Sequence, residues 1–164
     1  MERTTHFLTH PRRGWPESAW LAPYFLTSHG RHRAFGENND SWGLGLEGIE
    51  GTEHLPPFKG RIDIDLTIMG QPDLGVLLCY QRFGAGRGAF YSKGDLSRLR
   101  EWVRTMHGDL MPIGLYVSFE IAWKAIKEFM DTDGALPKSI RWVANRDLPA
   151  DAFPDPLEGV RIRD

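Results

Sequence analysis

Two pairs of residues have spacings that could serve metal binding or acid–base chemistry. His29 and His32 form an H-x-x-H pattern, which can place two imidazoles on one metal ion. No cysteine or carboxylate partner lies close to them in sequence and arginines flank both, so we interpret this stretch as a solvated basic loop. Asp63 and Asp65 alternate along an expected strand, which points both carboxylates to one side about 7 Å apart. Without a nearby histidine or third acid, a solvated sheet face is the favoured interpretation.

A glycine-rich stretch at residues 84–89 formally matches the G-x-G-x-x-A variant of the dinucleotide-binding fingerprint. That fingerprint binds pyrophosphate only where a strand ends and a helix begins. The residues that follow, FYSKG at 90–94, are typical of a short strand and a turn. We therefore predict a hairpin loop here, and no cofactor.

Residues that could act as nucleophiles lack the partners that would activate them. Ser92 and Ser118 lie in no G-x-S-x-G setting. Cys79 falls within an expected strand, where a buried and unreactive thiol is the usual outcome. The six histidines are scattered along the chain. We predict no catalytic residue and no metal site, and expect a protein that is not an enzyme.

The composition is that of a globular protein. A chain of 164 residues, 41% of them hydrophobic, can bury one substantial core, so we predict a single domain. Its net charge of −2 argues against a dedicated nucleic-acid binder. No stretch approaches the roughly 18 apolar residues of a membrane helix, and the N-terminus lacks the apolar core of a secretory signal. Together with a single cysteine, these features predict a cytoplasmic protein.

The strongest structural pattern is a helix between two strands, at residues 112–149. Residues 118–131 repeat apolar side chains at helical spacing, with Ser118 as the expected N-cap. Gly134 supplies a left-handed stop, and a short strand follows at 140–143. The predicted buried face comprises Phe119, Ala122, Trp123, Ile126, Phe129 and Met130.

A hairpin and a second helix complete the predicted fold. Residues 61–69 alternate apolar and polar side chains, and residues 74–83 are a more apolar strand. The turn between them is too short for a crossover, which forces antiparallel pairing. Helical spacing of apolar residues predicts a helix over 96–107. The predicted fold class is α+β, with an antiparallel-dominated sheet of five or six strands whose apolar face is covered by helices at 96–107 and 118–131. The side chains expected to be largely buried are Ile64, Leu66, Trp123, Phe129 and Trp142.

The region around the 118–131 helix also resembles a known family. Its helix has the form A-x-x-A-x-x-x-F at residues 122–129, followed by a D-G-x-x-P turn at 133–137 and a strand that contains Trp142. This pattern is similar to the C-terminal signature of the Imm1 family of immunity proteins from bacterial polymorphic toxin systems. The resemblance implies a protein that binds and neutralises a toxin made beside it, often one with a nucleic-acid deaminase domain.

Charge divides the remaining sequence into segments. Residues 1–35 carry five arginines and two glutamates, a balance of +3, and a short helix is expected to reach Leu21. Residues 36–60 are glycine-rich and carry five acids and one lysine, a balance of −4. We interpret 36–60 mainly as a solvated connection, although a short strand and a partner-binding loop are also compatible with it. Residues 61–149 hold the predicted sheet and helix core, and 150–164 a tail that frays at its end.

A binding function follows from the resemblance and from this charge pattern. Toxins that act on nucleic acid tend to be basic, and acidic side chains on an inhibitor speed encounter with a basic partner. The candidate partner-binding residues lie in the acidic segment and on the polar side of the 61–69 strand: Glu37, Asp40, Trp42, Glu47, Glu50, Glu53, Asp63 and Asp65. The alternative is a small enzyme or ligand-binding domain with a pocket between sheet and helices.

Overall fold

The computed structural model describes residues 1–84 and 88–157. Its strands are β1 Glu2–His6, β2 Ser41–Ile49, β3 Ile62–Gln71, β4 Gly75–Phe83, β5 Gly88–Ser92, β6 Trp102–Arg104, β7 Leu110–Pro112, β8 Tyr116–Val117 and β9 Trp142–Ala144. Its α-helices are α1 Ser18–Leu21, α2 Pro23–Leu26, α3 Ser28–Phe35 and α4 Phe119–Asp131. Short 3-10 segments lie at Leu96–Arg98, Ile113–Leu115 and Asn145–Asp147.

Within the described residues, seven strands form one antiparallel sheet in the order β1-β2-β3-β4-β5-β9, with β8 paired to β4. Strands β6 and β7 form a separate two-stranded sheet. The predicted α+β class and antiparallel-dominated sheet are confirmed. The predicted count of five or six strands is too small, since β1 and the two-residue β8 carry little alternation to reveal them.

The centre of the sheet is the predicted hairpin of β3 and β4. Side chains alternate between buried and partly exposed along all ten residues of β3, as its sequence alternation requires. The Leu74 N–H donates to the Gln71 carbonyl at 3.0 Å and closes the turn. Antiparallel pairing then runs from Asp63 opposite Phe83 to Gln71 opposite Gly75. The hairpin prediction is confirmed.

The helices cover one side of this sheet, called here the inner face. Ser118 caps α4 by accepting a hydrogen bond from the Ile121 N–H at 3.2 Å, and Gly134 follows with φ of +88°. The helix at 118–131 is therefore confirmed. Trp123, Phe129, Ile64 and Leu66 are buried as predicted. Trp142 is only partly buried, because β9 is an edge strand of the sheet.

The helix predicted at 96–107 is wrong. A single 3-10 turn, capped by Asp95, gives way to the β6–β7 hairpin, and Gly108 lies in the hairpin turn with φ of +87°. Leu96, Leu99 and Val103 do pack inward, but against the opposite side of the sheet, called here the outer face. Spacing at i, i+3 and i+7 cannot distinguish a helix from an irregular segment that buries the same residues, and strand pairing decides it here. Residues 95–115 are called the arm.

The N-terminal segment is more ordered than its sequence predicts. Strand β1 pairs with β2, and α3 contains His29 and His32, so the basic-loop interpretation of these histidines is wrong. Thr27 caps α3 by accepting a hydrogen bond from the Gly30 N–H at 2.9 Å. Aromatic side chains make this segment part of the main core, where Phe7, Phe25 and Phe35 are fully buried.

The acidic segment also holds a strand. Residues 41–49 form β2, between β1 and β3. The interpretation of these residues as a solvated connection is therefore wrong, and the alternative of a short strand in this segment is confirmed. The predicted hairpin loop at 84–89 and the predicted fraying at the end of the tail fall partly on residues 85–87 and 158–164, which lie outside the described residues. Among the described residues, no helix has the length and apolar character needed to cross a membrane.

Candidate functional site

The outer face of the sheet is covered at one end and grooved at the other. The arm packs over β4 and β5, where Leu77, Cys79 and Tyr116 form a second apolar cluster. Over β1, β2 and β3 lies a polar groove of about 500 Å³, called here the slot. The slot is lined by Thr4, Thr5, His6, His10, Arg12, Gly43, Gly45, Glu47 and Asp65.

The pairing register of β1, β2 and β3 brings together residues that line the slot. Thr4, Gly45 and Asp65 lie opposite one another in a row across β1, β2 and β3. In the next row Gly43 lies between His6 and Thr67. Because opposed residues in a sheet share one face, the two glycines leave the backbone of β2 as the floor between side-chain walls. Two glycines of the glycine-rich segment 36–60 thus help to shape this surface.

Asp65 presents its carboxylate to the slot. Its Oδ2 accepts a hydrogen bond from the Thr67 hydroxyl at 2.9 Å. Its Oδ1 lies 3.6 and 3.7 Å from the positions that Cβ atoms on Gly43 and Gly45 would occupy. Burial raises the pKa of Asp65, and the Thr67 hydrogen bond offsets this only in part. Within the described part of the chain no cation forms an ion pair with this carboxylate.

Ion pairs line the rim of the slot. Arg12 contacts the Glu47 carboxylate at 2.8 Å, and Arg61 lies 3.8 Å from the same group. Arg61 also binds both oxygens of Asp63, at 2.9 to 3.2 Å. The Gly48 N–H donates to Asp63 at 2.9 Å, which fixes the carboxylate from a second strand. The sequence spacing correctly predicted that Asp63 and Asp65 lie on one face. Asp63 is bound by Arg61 and by the Gly48 N–H, whereas neither of these groups binds Asp65.

Two further acids of the predicted set lie beyond the bulged end of β2. Glu50 contacts Arg82 at 2.8 Å, and Glu53 contacts the N-terminal ammonium of Met1. The hydrogen bond from that ammonium lowers the pKa of Glu53. Arginines from distant parts of the chain therefore neutralise much of the charge that a local count of residues 36–60 assigns to this surface.

The remaining members of the predicted set do not belong to the slot. Asp40 is buried and accepts hydrogen bonds from the Met106 N–H at 2.8 Å and the Gln71 amide at 3.3 Å. Trp42 is buried with its indole N–H donating to the Ala34 carbonyl at 2.7 Å, so it is not the exposed anchor expected from the sequence. Glu37 is exposed just after α3.

An exposed aromatic residue beside the slot was missed by the sequence reasoning. Phe58 is 85% exposed and adopts φ of +62°, a conformation that is unusual for a bulky side chain. It follows Pro57 in a turn closed by a hydrogen bond from the Lys59 N–H to the Pro56 carbonyl at 3.2 Å. A second groove, of about 330 Å³, joins Phe58 to Asp65. The available signal was a phenylalanine directly after two prolines in a polar segment.

The groups with the potential for chemistry lie in the following environments. Burial raises the pKa of the Cys79 thiol to about 12, so it stays protonated and weakly nucleophilic near neutral pH. Within residues 1–84 and 88–157, no three His, Cys, Asp or Glu side chains are grouped to hold a metal ion. The space between sheet and helices, proposed above as an alternative ligand pocket, is packed with core side chains that include Phe7, Phe25, Phe35, Trp123 and Phe129.

Comparison with known families identifies the class of the chain as an immunity protein. The model of one family, described as Immunity protein Imm1, matches residues 52–144, which is more than half of the chain. The chain therefore belongs to the Imm1 immunity protein family, as its sequence resemblance predicts. The match contains Phe58, Asp63, Asp65 and α4, and begins after β2. Searches of the curated proteins and of the solved structures give no match.

Proposed function

We propose that this protein neutralises a cognate bacterial toxin in the cytoplasm by binding it, without catalytic turnover. Membership of an immunity family supports toxin neutralisation, and the chemistry of the slot supports recognition by shape and charge. The toxin is expected to be basic and to act on nucleic acid, with a deaminase domain as the first candidate. The binding surface in this proposal is the slot together with the 50–61 loop that carries Phe58.

The single observation that carries this choice of surface is the exposure of Phe58. An aromatic ring held almost fully in water loses the stabilisation that burial would supply, and its left-handed backbone adds strain. Contact with a partner would remove the Phe58 ring from water and so supply that stabilisation to the complex. Aromatic side chains are frequent anchors of protein interfaces. The loop lies inside the matched region of the family.

The charge pattern supports local contacts rather than a broad acidic field. Glu47, Glu50 and Asp63 are already paired with arginines, whereas Asp65 has no cationic partner among the described residues. We therefore expect electrostatic steering of a basic toxin to be moderate. Specificity would come from the few charges that become desolvated in the complex.

A titration of toxin activity tests the proposal. The toxin domain encoded next to this protein would be purified, and its activity measured after addition of increasing amounts of this protein. A non-catalytic inhibitor removes activity in proportion to the amount added and abolishes it at an equimolar ratio, independently of incubation time. Protection at far lower ratios that grows with time would show an enzyme. No loss of activity at any ratio, with a toxin domain shown to be active, would count against the proposed function.

A further inference from the structure

The ionised form of Asp65 is disfavoured in the folded protein. The sheet partly buries its carboxylate, which disfavours the charged form and raises its pKa. One hydroxyl, from Thr67, donates to it. Its neighbour Asp63, two residues earlier on the same face, shows the usual solution, a two-oxygen contact with Arg61. Asp65 thus has the environment of a carboxylate whose cationic partner comes from outside the chain.

The slot gives such a partner room to reach Asp65. Gly43 on the adjacent strand leaves one side of Oδ1 without a covering side chain, whereas the Thr4 hydroxyl leans over Gly45 and lies 2.6 Å from the position that a Cβ would occupy there. Walls of the slot are formed by Thr4 and His6 on β1, which lie opposite the two glycines. The rim cation Arg12 does not repel an incoming positive charge strongly, since Glu47 compensates it at 2.8 Å. A positively charged side chain suits a groove of this volume that contains a carboxylate without a cationic partner among the described residues.

We infer that the slot receives a lysine or arginine side chain of the partner toxin, with Asp65 as its counter-ion. This inference rests on the proposed function and specifies which toxin chemistry the site takes. A guanidinium or ammonium group in the slot would meet a desolvated carboxylate, where opposite charges attract more strongly than in water. Loss of that carboxylate is expected to act mainly on dissociation, because the ion pair forms only after the partner has docked.

The first test uses small probes and requires no toxin. Isotope-labelled protein would be titrated with Nα-acetylarginine amide, whose only charge is the guanidinium, and with Nα-acetylcitrulline amide as the uncharged matched probe, while backbone amide signals are followed by NMR. We expect the arginine probe to shift the Gly43, Gly45 and Thr67 signals in a saturable way, and the citrulline probe not to do so. Asp65→Asn should abolish the shifts, and Asp73→Asn, on the exposed β3–β4 turn, should keep them. Equal responses to both probes, or an unchanged response in Asp65→Asn, would overturn the inference.

The second test uses the toxin domain and separates this inference from the proposed function. Asp65→Asn is expected to raise the dissociation rate of the complex at least about tenfold, and Asp73→Asn to leave it within twofold. Gly43→Val should act like Asp65→Asn. A Cβ at Gly43 meets its nearest atoms at 3.5 and 3.6 Å, so the strand accepts a side chain there that fills the slot. Wild-type rates in both variants would overturn the inference while the toxin complex, and with it the proposed function, still stands.

Discussion

Arg61 and Asp63, two residues apart at the start of β3, bind each other through both carboxylate oxygens and hold the irregular end of β2. The pairing register of β2 and β3 shifts between Leu46 and Ile49, and Gly48 within this bulge has φ of +71°. Its N–H donates to Asp63 at 2.9 Å instead of to a ladder partner. The carboxylate therefore stabilises the bulge at which the pairing register shifts, shortly before the loop that carries Phe58.

Replacing Asp63 by alanine should destabilise the fold. The change leaves the Gly48 N–H and the Arg61 guanidinium without their acceptor at a partly buried site, so the loss in free energy of unfolding should be about 1–3 kcal/mol. Chemical denaturation would measure it. Asp73→Ala, at an exposed turn position, is the matched control and should change stability by less than about 0.5 kcal/mol. Equal small effects in both variants would contradict this account of the bulge.

Phe129→Ala tests the packing of α4 on the sheet. The ring is fully buried and lies 5.2 Å from the Trp15 ring and 6.2 Å from the Tyr80 ring. Truncation of a buried aromatic side chain leaves a cavity, and the expected loss is about 3–5 kcal/mol. Ile121→Ala, on the exposed side of the same helix, should cost far less. A loss below about 1 kcal/mol for Phe129→Ala would mean that the helix presents another face to the core.

The sequence correctly predicts those elements in which a regular apolar pattern continues over many residues. The alternation along β3 and the helical spacing of α4 each extend over enough residues to specify one element. The arm has apolar residues at helical spacing over a short stretch, but pairing of Trp102 with Pro112 turns it into a hairpin. Such pairing depends on contacts with the sheet, which a local pattern cannot encode.

The candidate site was predicted only in part, for a related reason. Alternation correctly placed Asp63 and Asp65 on one face, because that depends on two neighbouring positions. A local charge count could not find that Arg12, Arg82 and the N-terminal ammonium neutralise acids that lie 32 to 52 residues away. For Glu47 and Arg12 the separation is 35 residues. The burial of Trp42 likewise depends on α3, through the Ala34 carbonyl.

Ionisation of Asp65 should lower the stability of the folded protein. Its pKa is raised in the folded state, so between the ordinary carboxyl pKa and this higher value the folded chain holds the proton that the unfolded chain has lost. Stability contributed by this group is therefore present at low pH and falls as pH rises through that window. Asp65→Asn removes the ionisable group and leaves an oxygen that can still accept from Thr67. Its melting temperature should exceed that of the wild type at pH 7.

The control for this effect is the pH dependence of the difference between the two proteins. The advantage of Asp65→Asn should shrink as pH falls through this same window, and it should be lost below about 4, where the carboxyl group is protonated in both states. His6, His10, Arg12 and Glu47 line the same slot and are present in both proteins, so any effect of these groups cancels in the difference between the two melting temperatures. Asp73→Asn should show no such pH-dependent gain. A melting temperature for Asp65→Asn below that of the wild type at pH 7 would contradict the expectation.

Reversing the three acids Glu47, Glu50 and Glu53 to lysine tests whether this surface attracts a basic toxin. Association with the toxin domain should become slower and less sensitive to salt, because long-range attraction is screened by ions. The folded state should survive, since ion pairs at partly exposed sites contribute little to stability. Reversal of Asp73, Glu120 and Asp131 changes the net charge by the same amount elsewhere on the molecule. Equal slowing by both triple variants would assign the effect to total charge rather than to this surface.

Phe58→Gly separates binding from folding at the exposed loop. Phe58 occupies the third position of a four-residue turn with φ of +62°, where glycine adopts the backbone conformation without strain. Folding stability should therefore be unchanged or slightly higher, while the aromatic contact is lost. If the ring is an anchor of the complex, dissociation from the toxin domain should accelerate by at least about tenfold. Ile121→Ala, which trims a 43% exposed apolar side chain on α4, should leave the dissociation rate unchanged. A wild-type dissociation rate in Phe58→Gly would remove the 50–61 loop from the interface.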